Sequence, residues 1–143
     1  MNLVNMRLSG LAFLLLLVIQ NGMSQNLLGY DSDGIMKYIK KNHPDLVMES
    51  NFRNDHYKYL KFTDGHRESE TMLFFMSPKG RCTSIKVIYD LSRRDEVLKE
   101  LDELYARKDE NMWEDQKHGK KALIVLQDED WFVTVSIKPD KSE

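Results

Sequence analysis

The stretch Ser92–Tyr105, SRRDEVLKELDELY, decides the architecture. Val97, Leu98, Leu101, Leu104 and Tyr105 fall at i, i+1, i+4, i+7 and i+8, one face of a 3.6-residue period, and charged residues fill the other face. Ser92 stands where a cap belongs, and Asp95 follows three residues later, a capping-box spacing with Asp in place of Glu. The spacing predicts an amphipathic helix ending near Lys108. A helix with one apolar stripe must bury it, and the segments on either side supply sheet to bury it against.

Upstream, Tyr57–Phe62 reads as a strand ending in the turn Thr63-Asp64-Gly65, with a short strand over Leu46–Met48 before it. Glu70–Met76 carries Met72, Leu73, Phe74, Phe75 and Met76 in a row, the pattern of a strand buried on both faces. Ser77-Pro78-Lys79-Gly80 is a turn. In Cys82–Tyr89 the residues Thr83, Ile85, Val87 and Tyr89 alternate onto one face. A first helix is expected over Asp33–Asn42, capped by Asp31 or Ser32, with Ile35, Met36 and Ile39 as its stripe and Pro44 as its stop.

Downstream, strands are expected over Met112–Gln116, Lys121–Gln127 and Trp131–Lys138. In the last of these, Trp131, Val133, Val135 and Ile137 form the buried face. The order is αβββ-αβββ. Strands joined by short turns are antiparallel. The expected fold is α+β: an antiparallel sheet, one or two small ones, with two helices on one face.

Residues 1–24 read as a secretory leader. Arg7 precedes an apolar run, Leu8 to Ile19, broken only by Ser9 and Gly10. As a helix this run covers roughly 18 Å, short of a hydrocarbon core of about 30 Å. Gly22 and Ser24 suit the −3 and −1 positions of a cut before Gln25. Residues 25–143 then form a single domain, expected to be periplasmic or extracellular, with no membrane span once the leader is removed. Without Arg7 the chain has 20 basic and 23 acidic side chains, so it lacks the basic excess of a nucleic-acid binder. Cys82 is the sole cysteine, which excludes an internal disulfide.

No motif for catalysis emerges. Aligning Asp31-Ser32-Asp33-Gly34 as a calcium loop puts Gly29 at its first position and Lys40 at its twelfth, where acidic ligands are required. His43, His56, His66 and His118 do not share a helix face as zinc ligands would. Cys82 has no local base or oxyanion loop, and phosphate and dinucleotide fingerprints are absent. The acid pairs Glu100/Glu103 and Asp128/Asp130 fall on a solvated helix face and in a turn. No catalytic residue, metal ligand or cofactor is therefore assigned.

Four features carry a resemblance: the leader ending Ser24-Gln25, the strand Tyr57-Lys58-Tyr59-Leu60, the Met72-to-Cys82 hairpin and the helix–Trp113–Trp131 segment. Together they resemble small exported bacterial proteins. The αβββ order resembles PepSY-type and β-lactamase-inhibitor-type scaffolds, which implies a binding or inhibitory module rather than an enzyme. The resemblance lies in element order, so no functional residue is carried over from it.

Strand parity selects the candidate site. The face turned away from the helices should carry Tyr57, Tyr59 and Phe132 among Lys61, Lys86 and Lys138. Tyrosines offer contact area with a polar tip, and lysines attract anions. The expected partner is an acidic protein surface or an anionic envelope polymer. The same face is also suited to packing a second copy of the chain. The alternatives are a small secreted hydrolase-like enzyme and a carrier of an apolar ligand held between helices and sheet.

Overall fold

The computed structural model describes residues 26–49, 58–65 and 69–142. The leader, Tyr57, His56 and His66 lie outside the described residues. Helix α1, Ser32–Asn42, is followed by strands β1 Val47–Glu49, β2 Lys58–Thr63, β3 Glu70–Met76 and β4 Cys82–Asp90. Helix α2, Arg94–Leu104, leads a second set: β5 Ala106–Asp109, β6 Met112–Asp115, β7 Ala122–Asp128 and β8 Phe132–Pro139. All eight strands form one antiparallel sheet in the order β1-β2-β3-β4-β8-β7-β6-β5. Each half is thus a helix and a four-stranded meander, not the αβββ unit read from the sequence. The halves join where β4 pairs with β8.

Register places both helices on one face. Phe74, Ile85, Ile137, Ile124 and Trp113 stand side by side across β3, β4, β8, β7 and β6. All are buried in one cluster with Ile35 and Ile39 of α1 and Val97 and Leu101 of α2. Trp113, fully buried, donates its indole N–H to Asp102 Oδ1 of α2 at 2.9 Å. The guanidinium of Arg107 lies 5.0 Å from the Trp113 ring centroid and forks onto Asp102.

Several local expectations are corrected. Asp31 caps α1 as expected, accepting from Gly34 N at 2.8 Å. At α2, however, Ser92 is not the cap. Residues Leu91–Arg93 form a 3-10 turn whose cap is Asp90, which accepts from Ser92 N at 2.9 Å. Helix α2 stops at Leu104 rather than near Lys108, because Tyr105 turns extended and Ala106–Asp109 become an edge strand on β6. A bulge at Phe75/Met76 pairs Met76 with Cys82 and Phe75 with Ser84. Cys82 thereby takes the buried position and Thr83 is exposed, the reverse of simple alternation. Strand β3 is not buried on both faces: Met72, Phe74 and Met76 are buried, while Leu73 and Phe75 are half-buried on the other side. Trp131 precedes β8 in the hairpin turn and is 83% exposed, so it does not belong to the core.

No periodicity marks the strap that opens the described chain. Asn26, Leu27 and Leu28 are all buried. Asn26 N donates to His118 O, Gly29 N to Cys82 O and Cys82 N to Tyr30 O, so the strap is tied to both halves of the sheet. The Asn26 amide donates to Asp115 Oδ2 at 2.8 Å and to Lys120 O at 2.9 Å. Asp115, 2% exposed, also accepts from Lys117 N and His118 N and meets His118 Nδ1 at 3.0 Å. Gly119 passes so close that a β-carbon there would sit 3.1 Å from Asn26 O.

Candidate functional site

The helices cover one face of the sheet, and no described element covers the other. Strand pleating puts alternate residues there. One row across this bare face reads Lys61, Leu73, Lys86, Ser136, Val125, Met112. A neighbouring row runs Thr63, Thr71, Ile88, Thr134, Gln127. On the other side, Tyr59 stands opposite Phe75, with ring centroids 6.0 Å apart, and Lys138 stands opposite Leu123. Phe132, opposite Asp90, closes one end and is 39% exposed.

Five of the six residues expected from parity therefore share this face: Tyr59, Lys61, Lys86, Phe132 and Lys138. Tyr57 lies outside the described residues. The lysines are not equivalent. Lys61 is bonded to Glu49 of the edge strand at 2.6 Å, and that bond holds the Glu49 carboxyl below its usual range. Among the described residues, Lys86 and Lys138 make no ion pair. Lys138 lies diagonally from Lys86 across β4 and β8, at a spacing of about 7–8 Å for such neighbours.

The face is also more apolar than expected. Leu73, Phe75, Ile88, Met112, Leu123 and Val125 are half-buried on it. For Leu73, Phe75, Leu123 and Val125 the signal was present in the sequence as the odd positions of Glu70–Met76 and Ala122–Asp128, masked by equally apolar even positions. Toward β5, Glu114 is bracketed by Lys108 at 3.4 Å and Lys121 at 3.3 Å, so that edge is neutralised.

Several of the other candidate groups are engaged structurally. Asp128 holds Arg94 in a two-pronged bond at 2.6 and 2.9 Å, tying α2 to the end of β7. Glu103 is paired with Lys99 at 3.9 Å. Cys82 is a buried free thiol that donates to Ser84 O at 3.5 Å. Burial pushes it up to about 11, which leaves it protonated and a poor nucleophile at neutral pH. Between α1 and the sheet the space is about 20 Å³, room for one water rather than an apolar ligand. Among the described residues no group of three or more His, Cys, Asp or Glu side chains is placed to hold a metal ion. No helix among them is long and apolar enough to cross a membrane.

Compared with protein-family models, with curated proteins and with solved structures, the chain matches none of them.

Proposed function

We propose that this protein is an exported, non-enzymatic binding module that recognises an acidic partner, a protein surface or an anionic envelope polymer, through the bare face of its sheet. The observation that carries the reading is the make-up of that face. An apolar band runs from Tyr59 on β2 to Met112 on β6, and Lys86 and Lys138, without ion pairs among the described residues, stand in it. Apolar side chains arrayed on a sheet face that no described element covers favour a partner that removes them from water. The lysines select its charge and hasten its approach. Trp131 and Phe132, exposed at one end, suit the role of aromatic anchors.

A raised thiol at Cys82 and a cavity of about 20 Å³ give little support to a nucleophilic enzyme or an apolar-ligand carrier. Export rests on the residue pattern of 1–24 and fits the start of the domain. A cut before Gln25 leaves the anchored strap at Asn26–Leu28 intact.

The test is the double substitution Tyr59→Ala with Lys86→Glu in protein purified after export. The variant should keep the native melting transition and lose the partner that the native protein captures from an envelope extract. Undiminished capture of the same partner would place the site elsewhere. Unfolding of the variant would show that these side chains are structural and that the face is not free for binding.

A further inference from the structure

At the end of the bare face where β4 begins and β8 ends, the sheet runs into an open cleft of about 970 Å³. Arg81, Lys120, Lys138 and Lys141 line it, and no described acidic residue does. They arrive from four places: the turn before β4, the turn before β7, the end of β8 and the tail beyond it. The chain as a whole has a formal net charge of −2, so four cations lining one concavity without an acid run against its average.

Nothing described neutralises them. Among the described residues, none of the four takes part in an ion pair. The nearest acid in sequence, Asp140, is turned aside: its carboxylate accepts from Ser142 and lies 3.6 Å from Lys121 Nζ. Arg93, Arg94, Arg107, Lys108 and Lys121, by contrast, are each paired with an acid. Like charges gathered without counter-charge repel one another, a cost that a bound anion removes.

The cleft also has a shaped wall. Gly29 adopts φ +83, and a β-carbon there would sit 2.7 Å from Lys120 Nζ. The positive φ is itself a conformation that favours glycine, and the Lys120 ammonium rests in the space beside it. Arg81 Nη1 donates to Gly29 O at 3.5 Å. The Ser84 hydroxyl, in the same lining, has no partner among the described residues and remains a donor.

We infer that this cleft is a binding site for a multivalent oxyanion, a group of the phosphate-ester or pyrophosphate type. The guanidinium fork and three ammonium groups supply charge, and Ser84 supplies a neutral donor. The site goes beyond the bare face, since it shares only Lys138 with the residues assigned there. Such a group is available from a free small anion or from a phosphorylated polymer that continues onto the sheet.

Titration of 15N-labelled protein, purified after export, with inorganic pyrophosphate tests the inference. The amide signals of Gly29, Ser84 and Lys120 should move together and saturate. The double substitution Lys120→Glu with Lys141→Glu should weaken binding by at least about tenfold, and so should a rise in salt that shortens the screening length. Lys120→Gln with Lys141→Gln should weaken it less, which provides a second reading should the reversal disturb the fold. Tyr59→Ala, a neutral change outside the cleft, should leave pyrophosphate binding unchanged while it weakens capture by the face, so the two proposals fail separately. Long-chain polyphosphate that binds more tightly than pyrophosphate supports a polymer, and equal affinity supports a free anion. Shifts that do not saturate, or that survive both double substitutions, would overturn the site.

Discussion

Replacing Asp115 by Asn isolates the buried carboxylate on which the N-terminal strap depends. The substitution keeps the volume and removes the charge. In the native protein one carboxylate oxygen accepts from the Asn26 amide at 2.8 Å, and the other accepts from Lys117 N at 3.0 Å and His118 N at 3.1 Å. An amide has a single acceptor oxygen. Whichever way the substituted side chain turns, its NH2 faces donors, and either the Asn26 amide or the two backbone N–H groups lose their partner. A hydrogen bond to a charged group contributes about 1.5–3 kcal/mol, and stranding a buried donor adds to its loss. The expected cost is about 2–4 kcal/mol, from a total that for such domains is about 5–15 kcal/mol. At about 4 °C per kcal/mol, the melting midpoint should fall by roughly 8–16 °C.

The dependence on pH separates loss of the carboxylate from mere repacking. Burial alone would raise the Asp115 carboxyl, but the Asn26 amide, the Lys117 and His118 N–H groups and the His118 ring together bring it below its ordinary 3.8. A carboxyl depressed in the folded state stabilises above its unfolded value and ceases to do so as pH falls through the folded value. The native protein should therefore lose this contribution below pH 3.8, while the variant, lacking it throughout, should not. Melting curves at pH 7 should differ widely and should converge as the acid limit is approached. Hydrogen exchange should show the Gly29 amide, bonded to Cys82 O, opening first in the variant. A gap of equal size at both ends of the pH range would refute the argument, since the loss would then owe nothing to charge.

Two further outcomes are expected. Leu101, 7% exposed on the inner face of α2, should cost about 2–5 kcal/mol when cut to Ala, whereas Glu103→Ala on the solvated face should stay within about 0.5 kcal/mol, both read from denaturant midpoints. Intact-mass analysis of protein recovered outside the cytoplasm should show a chain beginning near Gln25, and recovery of the full-length chain in the membrane fraction would contradict the leader.

What was legible in the sequence was periodicity, and what was not was geometry set by distant partners. The stripe through Val97 and Leu101 located α2, because a helix carries its burial pattern in its own residues. The end of that helix did not follow from the stripe. Arg107, which continues a helical pattern, instead reaches Asp102 and the Trp113 ring, and neither contact has a local signature. Thr83 illustrates the same limit in a strand: alternation is reliable until a bulge inserts a residue, and the bulge is fixed by pairing with β3.

The candidate sites divide along the same line. Tyr59, Lys61, Lys86, Phe132 and Lys138 were assigned to one face because side-chain parity within a strand needs no knowledge of its neighbours. That Lys61 is engaged by Glu49 required knowing that β1 is the edge beside β2. The basic cleft was further out of reach. Lys120 and Lys138 meet there because β7 starts where β8 ends, with Ala122 opposite Pro139. Arg81 joins them because the strap crosses from His118 to Cys82 and brings Gly29 between the two halves. A cluster drawn from four separate turns and ends has no spacing to read. Its charge becomes visible only when the antiparallel register is known, and the same register sets no described acid among the residues that line it.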